Sequence, residues 1–547
     1  MDAHPAPPGK SSGIRRRHFL AASALPLIGC AQRADIEGGF TGIQHERGHL
    51  LRDRVSWPAP ARTFKTEVLI AGGGVAGLAA ARALRLQGQH DFALLELENS
   101  AGGNSRGGAV NGIACPLGAH YLPLPGDDAP AVQDLLEELG LRQRVAGRWQ
   151  YDERHLCHSP QERLFFNGAW QDGLLPLQGV GAATLAQYQK FARLVAQLRQ
   201  QAKWTMPASN QPLALVQRAL AAITFIAYLD QNGLTDPQLR WYLDYCCRDD
   251  YGAGSATVSA WAGIHYFASR HGFHAPGQET AEREGLLTWP EGNGWLTQRL
   301  AAPLGERLHT GRVVLRIAQL KHGVEVDAFN TATNTVERWH ARRAIVALPL
   351  LVAARVVQNA PDFLRQAVAR TVYAPWLVAN IYIKAPLVDR PGAAPSWDNV
   401  LYGAPGLGYV DAMHQSLQPV PGATVLTYYR ALGDGPGGPG VGRRQLLDKP
   451  WSAWRDEILA ELALAHPDLP GKTRRLDLTR YGHAMAVPVP VPVNLNRIGL
   501  FPLFHKGLQL SKKEYPQIKH GRLTFAHSDW AGYSVFEEAF TLGHNAV

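Results

Sequence analysis

The chain has 547 residues, a formal net charge of +9, and 46% hydrophobic against 18% charged residues. That length calls for two or three domains, and the balance is that of a folded globular protein rather than a disordered one. Its basic residues are scattered without a long run, which argues against a nucleic-acid partner. The five cysteines contain no CxxC pair, which argues against a zinc or thioredoxin-like site, and no metal is expected.

The first element is an address. Arg15-Arg16-Arg17-His18-Phe19-Leu20 leads into a short apolar run, Phe19 to Gly29. A basic start, a greasy middle and a small-residue end make a signal peptide. The run is too short to span a bilayer core of about 30 Å. The arginine pair followed by x-Phe-Leu resembles the twin-arginine export signal, a route for folded, cofactor-loaded proteins. Leu27-Ile28-Gly29-Cys30 resembles a bacterial lipobox, in which the cysteine is lipidated and becomes the new N-terminus. Residues 1–29 are therefore expected to be a signal, and 30–64 a tether anchored through Cys30. That places the mature protein on the periplasmic face of a bacterial membrane, anchored rather than spanning.

Next, Glu67 to Ala71 is a short apolar strand that runs into Gly72-Gly73-Gly74-Val75-Ala76-Gly77. Leu78 to Leu86 reads as a helix, and Asp91 to Leu97 as a second strand carrying Glu96. Gly72 allows the tight turn, Gly74 lets a pyrophosphate approach the backbone, and Gly77 lets the helix pack closely on the strand. The helix start, including Val75 and Ala76, offers free amides to phosphate. Glu96 lies about 20 residues past the third glycine, where a carboxylate accepts hydrogen bonds from ribose hydroxyls. Strand, glycine turn, helix and acid together define a Rossmann-type dinucleotide site.

After Glu96, the stretch Asn99-Ser100-Ala101-Gly102-Gly103-Asn104-Ser105-Arg106 resembles the second fingerprint of the FAD-dependent amine oxidase superfamily. Here Asn104-Ser105 separate the glycines from Arg106, which displaces the arginine slightly. Further stretches resemble the same family: Glu291 to Leu296 as a helix start, Val314 and Ile317 with a Val-x-x-Ile spacing, Ala344 to Pro349 as a strand ending in proline, and Gly521 to Ala526 as the last cofactor strand. The resemblance implies FAD, with Gly102, Gly103 and Arg106 along the pyrophosphate, Val314 on the adenine side and Asp529 near the ribityl chain. Gly532 through Ala546 would form a closing helix. The family's cysteine for covalent flavin attachment has no counterpart after Cys247, so the FAD is expected to be non-covalent.

The expected fold is α/β: a Rossmann-type FAD-binding domain assembled from residues 65–125, 285–365 and 495–547, plus a mixed sheet-and-helix substrate domain from 126–284 and 366–494. Within the latter, Pro130 to Leu139 and Thr184 to Gln201 have helical spacing, the first ending at Gly140. Trp376 to Lys384 and Ala423 to Tyr429 read as strands. Met485 to Val493 alternates with proline and reads as an extended loop.

The resemblance implies hydride transfer from an amine, polyamines included, to flavin N5 outside the cytoplasm. An apolar aromatic pocket would favour the neutral amine. Trp376, Trp397, Tyr402, Tyr409, Trp451 and Tyr481 supply aromatic candidates, with Tyr481 favoured as a ring facing the flavin. His120 and His483 are candidate acid–base or orienting groups. By spacing from Pro349, the family's lysine that holds a water near N5 falls on Arg355, which cannot accept a proton. Acidic residues lining the pocket, among Asp244, Asp249, Asp250 and Asp411, would favour polyamines. Two alternatives use the same framework: a desaturase or oxidase of an apolar isoprenoid or porphyrinogen-like substrate, and a non-catalytic flavin-binding subunit. Substrate, electron acceptor, redox partner and oligomeric state are left open.

Overall fold

The computed structural model describes residues 35–54, 56–277, 285–416, 418, 420–491 and 517–547. The export signal and Cys30 lie outside the described residues. Val68 to Ala71 are buried on both faces, as a central parallel strand requires. Their strand, Arg62–Ala71, pairs in parallel with Phe92–Leu95 on one side and Thr335–Val346 on the other. Leu308–His309 extends the first edge, also in parallel. On the far side the long strand Thr335–Val346 divides its partners. Its first half pairs antiparallel with Val324–Asn330, and its last three residues pair in parallel with Leu523–Phe525. Arg312–Gln319 completes the antiparallel branch. The helices Val75–Leu86 and Phe536–Asn545 lie together on this sheet. They approach so closely that a Cβ on Gly543 would meet the Ala76 carbonyl oxygen at 2.1 Å.

The second half is a mixed eight-stranded sheet in the order Glu37–Phe40, Thr473–Val487, Val372–Ile383, Thr424–Ala431, Tyr409–Asp411, Asp398–Leu401, Glu162–Phe166, Ala169–Asp172. Alternation along Val372–Ile383 sorts its side chains. Leu377, Ala379 and Ile381 pack under the helix Trp451–Leu462, while Trp376 and Val378 face the helices Ala182–Gln201, Pro237–Tyr251 and Ala260–Ala268. The latter face looks toward the dinucleotide half.

Three expectations are corrected. Residues 30–64 are not simply a tether: Glu37–Phe40 is an edge strand of the second sheet and His45–Asp53 is a helix. The non-local strand pairing is satisfied only because Gly38, at φ +135°, lets the Leu476 backbone come close; a Cβ there would sit 1.9 Å from the Leu476 oxygen. Helix Pro130–Glu138, assigned to the substrate half, buries Val132, Leu135 and Leu136 in the core of the dinucleotide half. Met485 to Val487 belongs to the strand Thr473–Val487 and pairs with Val372–Ala374; the ladder ends where Pro488, lacking an N–H, follows. Gly140, at φ +71°, ends the 130–138 helix as expected.

Candidate active site

A single cavity of about 440 Å³ runs from the glycine turn to the aromatic face of the second sheet. At the first end its wall is backbone. Gly72 turns at φ +104°, and a Cβ there would meet the Ala347 oxygen at 2.2 Å; a Cβ on Gly77 would meet the Gly72 oxygen at 1.9 Å. Gly74 differs, because a Cβ there would find only the Gly103 Cα, at 3.8 Å. Its open side is the cavity, into which Gly72 to Ala76 and the start of helix Val75–Leu86 face. The loop at Gly102 and Gly103 closes over this turn, the Gly102 amide donating to the Gly73 carbonyl at 2.8 Å. Two glycine segments thus form a side-chain-free floor beneath the free amides of a helix start, a cradle for pyrophosphate.

Glu96 is buried at the edge of the cradle. Its two carboxyl oxygens accept from the Gly73 and Glu98 amides, each at 2.8 Å. Burial pushes its pKa up, against the opposing pull of those amides. Each oxygen keeps lone-pair capacity for a ribose hydroxyl. Buried Arg106 donates to Ser100 Oγ at 3.1 Å and lies 3.7 Å from Glu98. Its Nε and Nη1 are buried and have no hydrogen-bond acceptor among the described residues. Arg106 and Gly77, both expected at the cofactor, support the cradle from behind and do not line the cavity. Val314 lines the cavity beside a bulge in its strand. Asp529, also in the wall, accepts from the Leu350 amide at 3.0 Å and the Tyr373 hydroxyl at 2.6 Å, and lies 3.1 Å from His527 Nδ1. Burial would raise its pKa, but the His527 ring and these donors outweigh it and hold the carboxyl below its ordinary range.

At the other end the wall is side chain. Tyr481 stands opposite Trp376 and Tyr429 opposite Val378 across neighbouring strands, so the three rings share one face. Tyr481 donates to the Leu117 carbonyl at 2.7 Å and Tyr429 to the Gly118 carbonyl at 3.0 Å. With both hydroxyls engaged, they present ring faces rather than acids. The same two bonds pin the loop that carries His120. That loop is held from other sides by the Asn293 amide on Ala119 (2.9 Å) and by Thr288 Oγ1 on the His120 carbonyl (2.9 Å). His120 stacks on Tyr429 with centroids 4.4 Å apart, and burial pushes its pKa down to about 3. His483 lines the cavity against Tyr373; burial, with Arg443 and His49 nearby, lowers its pKa to about 4.

The expected residues Tyr481, His120 and His483 therefore meet in one cavity with Gly72, Gly74, Val75, Ala76, Glu96, Gly102, Gly103, Val314 and Asp529. Arg355 does not. Helix Leu350–Val356 buries Leu350, Ala353 and Val356, which turns Arg355 outward to the Arg52 carbonyl at 3.5 Å. Of the other candidate aromatics, Tyr402 packs on Trp241 and Phe166, Tyr409 bonds His466, and Trp451 bonds the Leu476 carbonyl, all away from the cavity. Asp244 is spent on Ser255 and Arg248, and Asp411 caps Met413 and takes Thr424. Asp249 and Asp250 do line the cavity, both oxygens of Asp250 accepting from Arg270 Nη2 at 3.1 Å.

Sequence reasoning missed Tyr373, Tyr429 and Glu537. Glu537 lies in the first turn of helix Phe536–Asn545, lines the cavity, and is only 3% exposed. Among the described residues neither Asp249 nor Glu537 stands in an ion pair; Glu537 takes a hydrogen bond from its own backbone amide, and Asp249 feels Arg270 and Arg248 only at a distance. Burial, aided by Asp250, pushes Asp249 up to about 7, and burial does the same to Glu537.

A side-chain-free phosphate cradle, a ribose acid and an aromatic chamber in one cavity define a flavoprotein oxidoreductase. The model for flavin containing amine oxidoreductase matches residues 75–547, and the chain belongs to that family. FAD is its cofactor, and the absence of any cysteine after Cys247 is consistent with non-covalent binding. Putrescine oxidase bound to putrescine superposes with a TM-score of 0.63 at 18% identity, covering 88% of this chain and 98% of that one. Cyclohexylamine oxidase from Brevibacterium oxydans gives 0.62 at 18% identity, covering 88% and 97%. An L-amino acid dehydrogenase from Synechocystis is 26% identical over 311 residues, 55% of this chain and 59% of its own length, so the chain spans about three fifths of that relative.

Proposed function

We propose that the protein oxidises an amine that carries a second cationic group, a diamine or polyamine. The observation that carries this reading is the pair of carboxyls without an ion-pair partner among the described residues, Asp249 and Glu537, in the same cavity as the rings of Trp376, Tyr429 and Tyr481. Bound FAD supplies a hydride acceptor. The rings exclude water and favour the neutral form of the reacting amine. His120, uncharged at neutral pH on a rigid loop, orients that nitrogen by hydrogen bonding. The carboxyls, ionised in the presence of a cation, hold the remote ammonium. The substrate carbon loses hydride and the nitrogen a proton. The resulting imine takes up water and is released as a carbonyl compound with ammonia from a primary amine, or with the shorter amine from a secondary one. Tyr481 acts as a wall and His483 as a neutral edge of the chamber.

The test follows flavin absorbance without oxygen while monoamines, diamines and polyamines are added. Bleaching faster with diamines than with chain-matched monoamines supports the reading. No bleaching by any amine would overturn it. Admitting air then reports whether oxygen re-oxidises the flavin.

The same reading places the protein on the periplasmic face of a bacterial membrane. Support comes from the arginine pair, the short apolar run and Leu27-Ile28-Gly29-Cys30. No described helix is long and apolar enough to cross a membrane. Replacing Cys30→Ser is expected to release the protein from washed membranes; unchanged membrane retention would count against the anchor.

A further inference from the structure

Residues 37–53 precede the first cofactor strand, yet they touch both halves of the molecule. Glu37–Phe40 adds a parallel edge to Thr473–Val487, and the Thr41 amide continues the ladder to the Leu478 carbonyl at 2.8 Å. The chain then crosses to the dinucleotide half. The Gln44 amide donates to Glu98 Oε1 at 3.1 Å, and Arg47 Nη1 donates to the Leu97 carbonyl at 3.0 Å. These bonds grip the loop whose Glu96 and Glu98 are tied to the glycine turn and to Arg106. On the way, His45 approaches Arg480 at 3.5 Å.

Helix His45–Asp53 has little to hold it. It is nine residues long and none of them is buried. An isolated helix of that length is unstable in water. Leu50 and Leu51 pack against the cluster containing Val313, and Leu51 also lines the cavity with Leu97 and Val314. Leu51 therefore has apolar surface that the protein leaves uncovered and that a ligand in the cavity would cover.

We propose that residues 37–53 are a working part of the FAD site: a strap that clamps the Glu96–Glu98 loop and closes the cavity wall through Leu51, so that strap docking and FAD binding are thermodynamically coupled. Whatever binds the docked strap state better than the released one shifts the balance toward docking. FAD does so by covering Leu51 and by drawing on the acids that the strap positions. A substrate amine is not needed, so the proposal stands independently of the substrate reading.

The experiment uses the full chain, stripped of FAD and reconstituted, with Arg47→Ala and Leu51→Ala variants. Flavin fluorescence on titration gives the FAD dissociation constant. Trypsin digestion reports cleavage after Arg47, Arg52 and Arg54. FAD is expected to slow that cleavage about tenfold or more. Each variant is expected to weaken FAD binding by roughly three- to thirtyfold, in line with loss of one hydrogen bond or one partly buried leucine contact. The melting temperature of the FAD-free protein should move little. Equal cleavage rates with and without FAD would overturn the proposal. So would variants that bind FAD as the parent does, or that lose affinity only in proportion to a fall in the FAD-free melting temperature.

Discussion

The two ends of the cavity are made of different material. At the cofactor end the wall is backbone: glycines at 72, 74, 102 and 103 and the amides of a helix start. At the substrate end it is side chain: three aromatic rings, two neutral histidines and carboxyls from separate helices. A backbone wall offers no functional group to exchange, and an atom added to it enters either the protein's own space or the cofactor's. A side-chain wall can be retuned one residue at a time. Mutations at the first end should act through space, and those at the second through chemistry.

The largest effects are expected at the glycines, where two positions separate fold from ligand. Gly77→Ala places a methyl 1.9 Å from the Gly72 oxygen. It is expected to cost about 3 kcal/mol of stability and to abolish stable FAD retention. Gly74→Ala meets only the Gly103 Cα at 3.8 Å, so the FAD-free protein should melt as the parent does. Its methyl enters the cofactor's space, and FAD affinity should fall at least about tenfold, a loss of 1.4 kcal/mol or more. Calorimetry without FAD and fluorescence titration with it distinguish the two. Equal melting losses in both variants would show that the cradle is a packing feature rather than a ligand floor.

At the other end, Asp249→Asn and Glu537→Gln keep shape and remove charge. Loss of a charged hydrogen bond to an ammonium is worth about 1.5–3 kcal/mol, or roughly ten- to hundredfold. KM for a diamine should rise by that factor, with KM for a chain-matched monoamine unchanged. A parallel rise for both substrates would mean that these acids shape the chamber and do not read a second charge.

The same acids give the substrate end a pH signature of its own. Burial raises Asp249 and Glu537 to about 7, above the values they take when unfolded. Between those values the folded state binds more protons than the unfolded one, so stability falls as pH rises from about 4 to about 7 and then levels off. Solvent in the cavity limits the contribution to the order of 1 kcal/mol per group. A bound diamine should flatten the fall, as should Asp249→Asn. A stability profile unchanged by that substitution would mean that Asp249 is ionised throughout.

How well each end could be anticipated follows from the same contrast. Glu96 and the glycines fall within one strand–turn–helix–strand unit and each is forced by local geometry, so strand, turn, helix and acid were legible without the fold. Tyr429 ends a strand legible in the sequence and Tyr481 is an expected ring of the chamber, but which face meets the cofactor depends on the pairing of Thr424–Ala431 and Thr473–Val487 with Val372–Ile383. Glu537 was hidden for another reason. An acid in the first turn of a helix is ordinarily a dipole partner on the surface, and only the packing of Phe536–Asn545 on Val75–Leu86 buries it. The strap was unreadable because its strand is paid for by a partner more than 430 residues away.

Arg355 carries the smallest expected effect and the clearest lesson about spacing. Counting from Pro349 placed it beside the flavin, but a helix turns a residue's direction by about 100° at each step, so a fixed offset fixes no direction. Leu350, Ala353 and Val356 take the buried stripe, and Arg355 is left outside. Its long, exposed hydrogen bond to the Arg52 carbonyl touches the end of the strap helix. Arg355→Ala is therefore expected to leave kcat and the pH profile unchanged and to alter stability by no more than about 0.5 kcal/mol. Steady-state kinetics across pH and a melting curve suffice to check this. A loss of turnover greater than about tenfold with FAD still bound would return Arg355 to the chemistry, and would mean that the helix Leu350–Val356 re-registers when the cofactor binds.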